Sequence, residues 1–307
     1  MIAKVLVYVI FVLVLIFGGY FIYTQIYELN APPISFIQRT VNNENQSSYS
    51  DNLQFNPNMR FSSSEISYNI EDSCDEQKKI RVVEALDFIE TKVGIINFFY
   101  SQENPGISVK CDENKYKESS GKYLIAGEGG PEFFYNGGFS IIENGTIFLF
   151  YKKSFCNTYN VELHELLHVF GFEHSSNPNS LMYPTLACYQ AVTNDIIQEL
   201  VRLYSIAEKP DLFFDNVTAT KHGSYLDFKV EIGNKGLTTG TNIRLEVYSG
   251  SEKFYTYQFE DIKNNEARSL SGSNIKIGKN IGQIEFVIVA GEELNTNNNN
   301  VSLYLTS

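Results

Sequence analysis

The sequence predicts an α+β (α/β) domain over residues 59–207 and an all-β sandwich over 208–307, behind an N-terminal membrane-spanning helix. Three observations carry this. Alternating strand-like runs and helical stretches interleave between Arg60 and Tyr204. After Pro210 only period-two alternation remains, punctuated by Gly- and Asn-rich turns. Ahead of both, Val5–Tyr27 contains no charged residue and is long enough to cross a bilayer as a helix, which needs about 20 apolar residues.

In chain order, residues 1–27 read as a transmembrane signal anchor. Tyr20, Tyr23 and Tyr27 sit toward its far end, where aromatic rings favour the membrane interface, and Lys4 precedes it. The charge bias places the N-terminus in the cytoplasm and the remainder outside. A cleaved signal peptide is the alternative, but its apolar region is shorter and ends in a small-residue cleavage site. Residues 28–58, rich in Asn and Ser with Pro32–Pro33 near their start, read as a flexible stalk. Glu65–Ile70 alternates as a strand. Ser73 with Glu76 forms a capping-box pattern before a helix reaching Val93, on which Val82, Leu86 and Ile89 share a face. Ile95–Ser101 and Ile107–Lys110 read as strands. Phe139–Ile142 and Ile147–Phe150 flank Glu143-Asn144-Gly145 and predict a hairpin. Helices are predicted over 160–170 and, with Thr193 as N-cap, over 193–204. In the last segment Leu226, Phe228, Val230 and Ile232 alternate with Asp227, Lys229 and Glu231, and similar alternation recurs at 243–248, 284–289 and 301–306.

A net charge of −12 argues against nucleic acid as a partner, because phosphate binding needs a basic surface. The four cysteines, Cys74, Cys111, Cys156 and Cys188, form no CxxC pair. On an exported chain they suit disulfides. Of the three connectivities, Cys74–Cys111 with Cys156–Cys188 is favoured, the first bracketing a helix and its following strand, the second bracketing the motif described next.

Residues 164–174 read HELLHVFGFEH. His164 and His168, at i and i+4, project from one helix face, one turn apart, and can reach one ion at about 2.0–2.1 Å. A continued helix would turn His174 away, but Gly171 readily takes the left-handed conformation that ends a helix and lets the chain return. Three protein ligands leave a fourth position for water, the arrangement of a catalytic zinc site. Glu165 follows the first ligand and is placed to take that water's proton as general base and to pass it to a leaving amine. Three of the four histidines in the chain lie in this window. His222 lies in the β segment and reads as an ordinary surface histidine.

This motif, with Met182 in Ser-Leu-Met-Tyr-Pro (180–184) and Thr193-Asn194-Asp195-Ile196 opening a helix that ends Leu203-Tyr204, resembles the metzincins, and most closely their matrixin branch, the matrix metalloproteinases. The resemblance covers 59–207. It implies a mixed twisted sheet with an active-site helix, one catalytic Zn2+, and a methionine turn at Met182 under the metal. Phe139, Ser140 and Ile141 would belong to the sheet edge that pairs with substrate. Tyr183, Pro184, Thr185 and Leu186 would line the pocket for the residue after the cut, with Leu186 standing where the family usually has tyrosine. No cysteine precedes Cys74, so the family's inhibitory cysteine is not expected, and no spacing marks its structural Ca2+ sites. The C-terminal segment, through Pro210-Asp211-Leu212, Gly233-Asn234-Lys235-Gly236 and Asn295–Asn300, resembles a CARDB module, an immunoglobulin-like adhesion domain of prokaryotic surface proteins. A surface ligand for it, or a plain spacer role, is implied equally.

The expected function is therefore that of a zinc-dependent metalloendopeptidase acting on extracellular proteins, outside the cell on a membrane tether or secreted. The alternative is a surface adhesion protein with a structural or vestigial zinc site, which the intact Glu165 argues against.

Overall fold

The computed structural model describes residues 53–113, 118–119, 123–124, 126–135, 137–151, 158–185 and 187–305. The anchor and nearly all of the stalk lie outside these residues. Among the described ones no helix is long and apolar enough to cross a membrane.

The first part is built on a mixed sheet. Its strands are β1 (Met59–Phe61), β2 (Glu65–Ile70), β3 (Asn97–Tyr100), β4 (Ile107–Cys111), then, past the short pair β5 (Glu118–Ser119) and β6 (Tyr123–Leu124), β7 (Gly127–Tyr135) and β8 (Ser140–Leu149). The order is β1-β8-β4-β2-β3, all parallel, with β7 antiparallel on β8. Helices α1 (Glu76–Val93), α2 (Asn160–Val169) and α3 (Asn194–Tyr204) complete it. One core joins Val82, Leu86 and Ile89 of α1 to Ile107, Val109, Ile147, Leu149, Leu163, Leu166, Leu167, Leu200 and Leu203.

The predicted hairpin at 143–145 does not form. Residues 140–149 make one unbroken strand. Gly145 is there because α2 crosses it: a Cβ at this position would lie 2.3 Å from Val169 Cγ1, the close approach that explains a glycine inside a strand. The true hairpin joins β7 to β8 one element earlier, and its connection holds Gly137 at φ 83.

The helix cap also differs. Asp75, not Ser73, is the N-cap of α1, accepting the Lys78 N–H at 2.9 Å, and Gly94 at φ 72 ends the helix. Ser73 Oγ instead accepts the Cys111 N–H at 3.3 Å, beside the Cys74–Cys111 disulfide. Cys188 is disulfide-bonded, and its expected partner Cys156 lies outside the described residues. Thr193 is the N-cap of α3 as predicted, but makes no side-chain cap bond. At the other end of α3 the buried Arg60 guanidinium donates to the carbonyls of Leu203 and Ile206 and lies over the Tyr204 ring. It thereby satisfies carbonyls that a helix C-terminus leaves unpaired.

From Leu212 the chain forms a sandwich of two antiparallel sheets, β13-β10-β9 and β12-β11-β14-β15. The strands are β9 (Leu212–His222), β10 (Tyr225–Asn234), β11 (Arg244–Ser249), β12 (Glu252–Gln258), β13 (Ala267–Lys276), β14 (Gln283–Val289) and β15 (Asn300–Tyr304). Leu226, Phe228, Val230 and Ile232 are buried as the alternation requires, against Leu245, Val247, Ile284, Phe286 and Ile288. His222 is exposed, 3.6 Å from Asp227.

Candidate active site

Helix α2 carries His164, Glu165 and His168, and its end is set by sequence. Gly171 at φ 83 sends its N–H to His168 O at 2.9 Å, and Phe172 sends its N–H to Leu167 O at 3.1 Å. This pair of bonds is the Schellman closure of a helix, and it turns the chain so that His174 returns toward the other two rings. The ring centroids of His164 and His168 are 4.7 Å apart, those of His168 and His174 4.7 Å, and those of His164 and His174 5.4 Å.

The nitrogens are sorted by their partners. His164 Nδ1 donates to Leu181 O at 2.6 Å, and His168 Nδ1 donates to Phe172 O at 2.8 Å. Each Nδ1 therefore carries the proton, and each Nε2 presents a lone pair. Yet the Nε2 atoms of His164 and His168 lie 3.1 Å apart, and those of His168 and His174 3.2 Å. The lone pairs of His164 and His168 repel at that distance unless a cation lies between them. Two nitrogens bound tetrahedrally to one zinc at about 2.05 Å sit about 3.3 Å apart, so the three imidazoles fit the ion. Carbonyl acceptors behind ligating histidines are the usual orienting partners. Among the described residues this is the one group of three acidic, thiol or imidazole side chains close enough to hold a metal.

Burial favours the neutral ligands. It lowers His164 to about 4, against the bond to Leu181 and with the charges of His168 and His174, and it lowers His168 as well. The carboxyl of Glu165, 7% exposed, is raised to about 8 by burial, opposed by the N–H of Gly129 and assisted by Glu128 and Glu162. Met182 is buried, its carbonyl taking the N–H of Ser175 at 2.8 Å, one residue past His174.

The expected substrate edge requires correction. Ser140 and Ile141 are buried, 0% and 2% exposed, in a strand flanked by β7 along one side and by β1 and β4 along the other. Phe139 lies in the β7–β8 connection. The edge strand is β7, and among the described residues nothing pairs with its outer side. Its glycines hid it from the sequence. Gly127 and Gly129 are small because Glu165 lies against them, with a Cβ at Gly129 falling 2.2 Å from Glu165 O. The Asn136-Gly137 pair was the signal that could have found it.

Tyr183 is half-buried, and Pro184 and Thr185 are exposed; Leu186 lies outside the described residues. Thr185 and the residues around this stretch are held by Gln190, a buried residue the sequence did not mark. Its Nε2 donates to Pro178 O at 3.1 Å and Thr185 O at 2.9 Å, and its Oε1 accepts the Ala187 N–H at 2.8 Å.

A helix bearing two imidazoles and a carboxyl, closed by a glycine that returns a third imidazole, defines a metallopeptidase-type centre. Residues 54–205 match the model of the matrixin family and form a matrixin-like domain. No curated protein matches the chain. Two solved structures of the CARDB domain of a Pyrococcus furiosus protein are similar to it. One, a crystal structure in complex with di-metal ions, has 17% identity over 32% of this chain and 90% of its own, with a TM-score of 0.27. The other, a solution structure, has 18% identity over 32% of this chain and 95% of its own, with a TM-score of 0.26.

Proposed function

We propose that the protein is a zinc-dependent endopeptidase that cleaves extracellular proteins. The observation that carries this is the convergence of the Nε2 atoms of His164, His168 and His174, in the helix that also carries the buried carboxyl of Glu165 and the turn that follows it. His164, His168 and His174 hold the ion. Bound there, zinc supplies a Lewis acid that polarises the scissile carbonyl and lowers the pKa of a water to about 7. Glu165 accepts the proton of the attacking water and delivers it to the leaving amine, and burial holds its carboxyl where it exchanges a proton near neutral pH. Gly129 fixes its direction through the main-chain N–H. An extended substrate adds to the outer side of β7 by main-chain hydrogen bonds, and the 183–187 wall receives the side chain after the cut.

The uncharged run Val5–Tyr27 and the disulfides at Cys74–Cys111 and Cys188 support an outward-facing, single-pass arrangement with the N-terminus in the cytoplasm.

The test incubates the full chain with an unstructured protein, with and without chelator. Cleavage stops with chelator and returns with added zinc. Glu165→Gln keeps one zinc per chain and cleaves nothing. Cleavage that persists in chelator, or in Glu165→Gln, would sink the reading.

A further inference from the structure

The residues just before β1 fall in the stretch that reads as stalk, yet they are built into the metal site. Gln54 is 4% exposed. Its Nε2 donates to Phe170 O and to Met59 O, both at 2.8 Å, and its Oε1 accepts the Met59 N–H at 3.0 Å. Its backbone forms an isolated antiparallel bridge with Phe172. On either side, Phe55 donates its N–H to Gly171 O at 3.0 Å, and Leu53 O accepts the Glu173 N–H at 2.9 Å.

Apart from Met59 at the start of β1, these partners lie in 170–173, the turn that separates His168 from His174. The turn does two things for the ligands. It sets where His174 returns, and through Phe172 O it fixes the His168 ring. Gly171 holds a left-handed φ of 83, and a Cβ there would meet Met59 Sδ at 2.4 Å, so Met59 and the turn are packed as well as bonded. A carboxamide is the side chain that gives two N–H groups and one oxygen from the same end. Glutamate would set a carboxylate against two carbonyls, and an apolar side chain would leave Phe170 O, Met59 O and Met59 N–H buried without that partner.

We propose that Gln54 is a positioning residue of the metal centre: it clamps the 170–173 turn and thereby sets the two histidines on either side of it. The proposal rests on the reading of His164, His168 and His174 as zinc ligands, and extends it to a residue 110 positions upstream of the first of them. Groups that orient metal ligands from behind contribute about 10–100-fold in metal affinity when lost. Gln54 acts one step further back, so the lower end of that range, about tenfold, is expected.

The experiment measures zinc dissociation by competition with a chromophoric chelator in the full chain, its Gln54→Met variant and an Ile89→Ala variant. Gln54→Met keeps length and loses all three side-chain bonds. Ile89, fully buried in α1, calibrates how far affinity falls from lost stability alone. The expected result is zinc affinity about tenfold weaker in Gln54→Met, with shifted visible absorption of the cobalt-substituted protein, and wild-type affinity and spectrum in Ile89→Ala. Equal affinities in Gln54→Met and Ile89→Ala would overturn the proposal. Should Gln54→Met fail to fold, the unaltered protein gives the answer, because coupling is reciprocal. Zinc must then slow hydrogen exchange at the amides of Phe55, Met59 and Glu173, and unchanged exchange there overturns the clamp. A wild-type chain that binds no zinc at all overturns instead the ligand reading beneath it.

Discussion

The main-chain N–H of Gly129 donates to the carboxylate of Glu165, and a Cβ on Gly129 would lie 2.2 Å from the Glu165 carbonyl oxygen and 2.8 Å from its Cα. The obstacle is backbone, so no rotamer change relieves it. Gly129→Ala must push β7 away from α2, taking with it the N–H that aims the carboxyl and the edge proposed to receive substrate. The neighbouring Gly130 provides the control, since a Cβ there meets nothing within 4 Å. We expect Gly129→Ala to lose about 1–3 kcal/mol of stability and up to about 100-fold in kcat, and Gly130→Ala to match wild type. Peptide kinetics and urea unfolding on both variants check this. Indistinguishable variants would mean the close approach does not position Glu165.

A second contact of the same kind holds the other end of α2. Gly145 faces Val169, with a Cβ at 2.3 Å from Cγ1 and 3.1 Å from Cγ2. Here the obstacle is a side chain, so it can be removed. Gly145→Ala should destabilise by about 1–3 kcal/mol. In the Val169→Ala background the same change should be much milder, giving a favourable coupling of at least about 0.5 kcal/mol in a double-mutant cycle. Strict additivity of the two changes would refute the contact as the reason for glycine in mid-strand.

These glycines mark where the sequence is legible and where it is not. The clustering of the three histidines and the turn at Gly171 are written locally, in a four-residue helical spacing and one left-handed residue, and the fold brings both about. The alternation of Leu226, Phe228, Val230 and Ile232 is equally local, and all four are buried. Asn144-Gly145 carries the same letters as a hairpin turn, but its glycine answers to Val169, on the helix packed against the strand. In β7 the run Gly127-Glu128-Gly129-Gly130-Pro131 carries no strand alternation, and Gly127 and Gly129 answer to Glu165. Gln54 sits among asparagines and reads as stalk, because its bonded carbonyl at Phe170 is 116 residues away. Each miss has one cause: the residue type was chosen by a neighbour distant in sequence.

The start of α1 gives a pH-dependent test. Burial pushes the Asp75 carboxyl up, but the N–H and ammonium of Lys78 and the N–H of Gln77 outweigh it, so it lies below the ordinary value of 3.8. A depressed carboxyl contributes stability that is present above the unfolded value and lost as pH falls through the folded one. Asp75→Ala should therefore cost about 1 kcal/mol at pH 7, and the gap to wild type should narrow once pH drops below 3.8. Urea unfolding at a series of pH values measures it. A gap that stays constant into that acid range would show that the carboxylate charge contributes nothing to the cap.

Gln190 is bonded to the proposed substrate wall in the way Gln54 is bonded to the 170–173 turn. Its carboxamide spans Pro178 O, Thr185 O and the Ala187 N–H, and its own carbonyl accepts Asn160 Nδ2 at 3.3 Å, at the first turn of α2. The next residue continues the stitch: Ala191 O takes the Leu181 N–H at 2.7 Å, and Leu181 O is the acceptor for His164. Gln190→Leu keeps the bulk but frees the wall at Thr185 and Ala187; these groups are only partly buried, so water takes over their bonds and the cost is about 0.5–1.5 kcal/mol. Because Ala191 still holds Leu181 through the main chain, His164 keeps its orientation and zinc affinity should not change. The expected signature is thus a change in preference for the residue after the cut, with KM moving more than kcat, at wild-type metal content. Digestion of a peptide library followed by mass spectrometry reads the preference, and metal analysis reads the content. An unchanged preference with lost zinc would mean that Gln190 supports the ligands rather than the pocket.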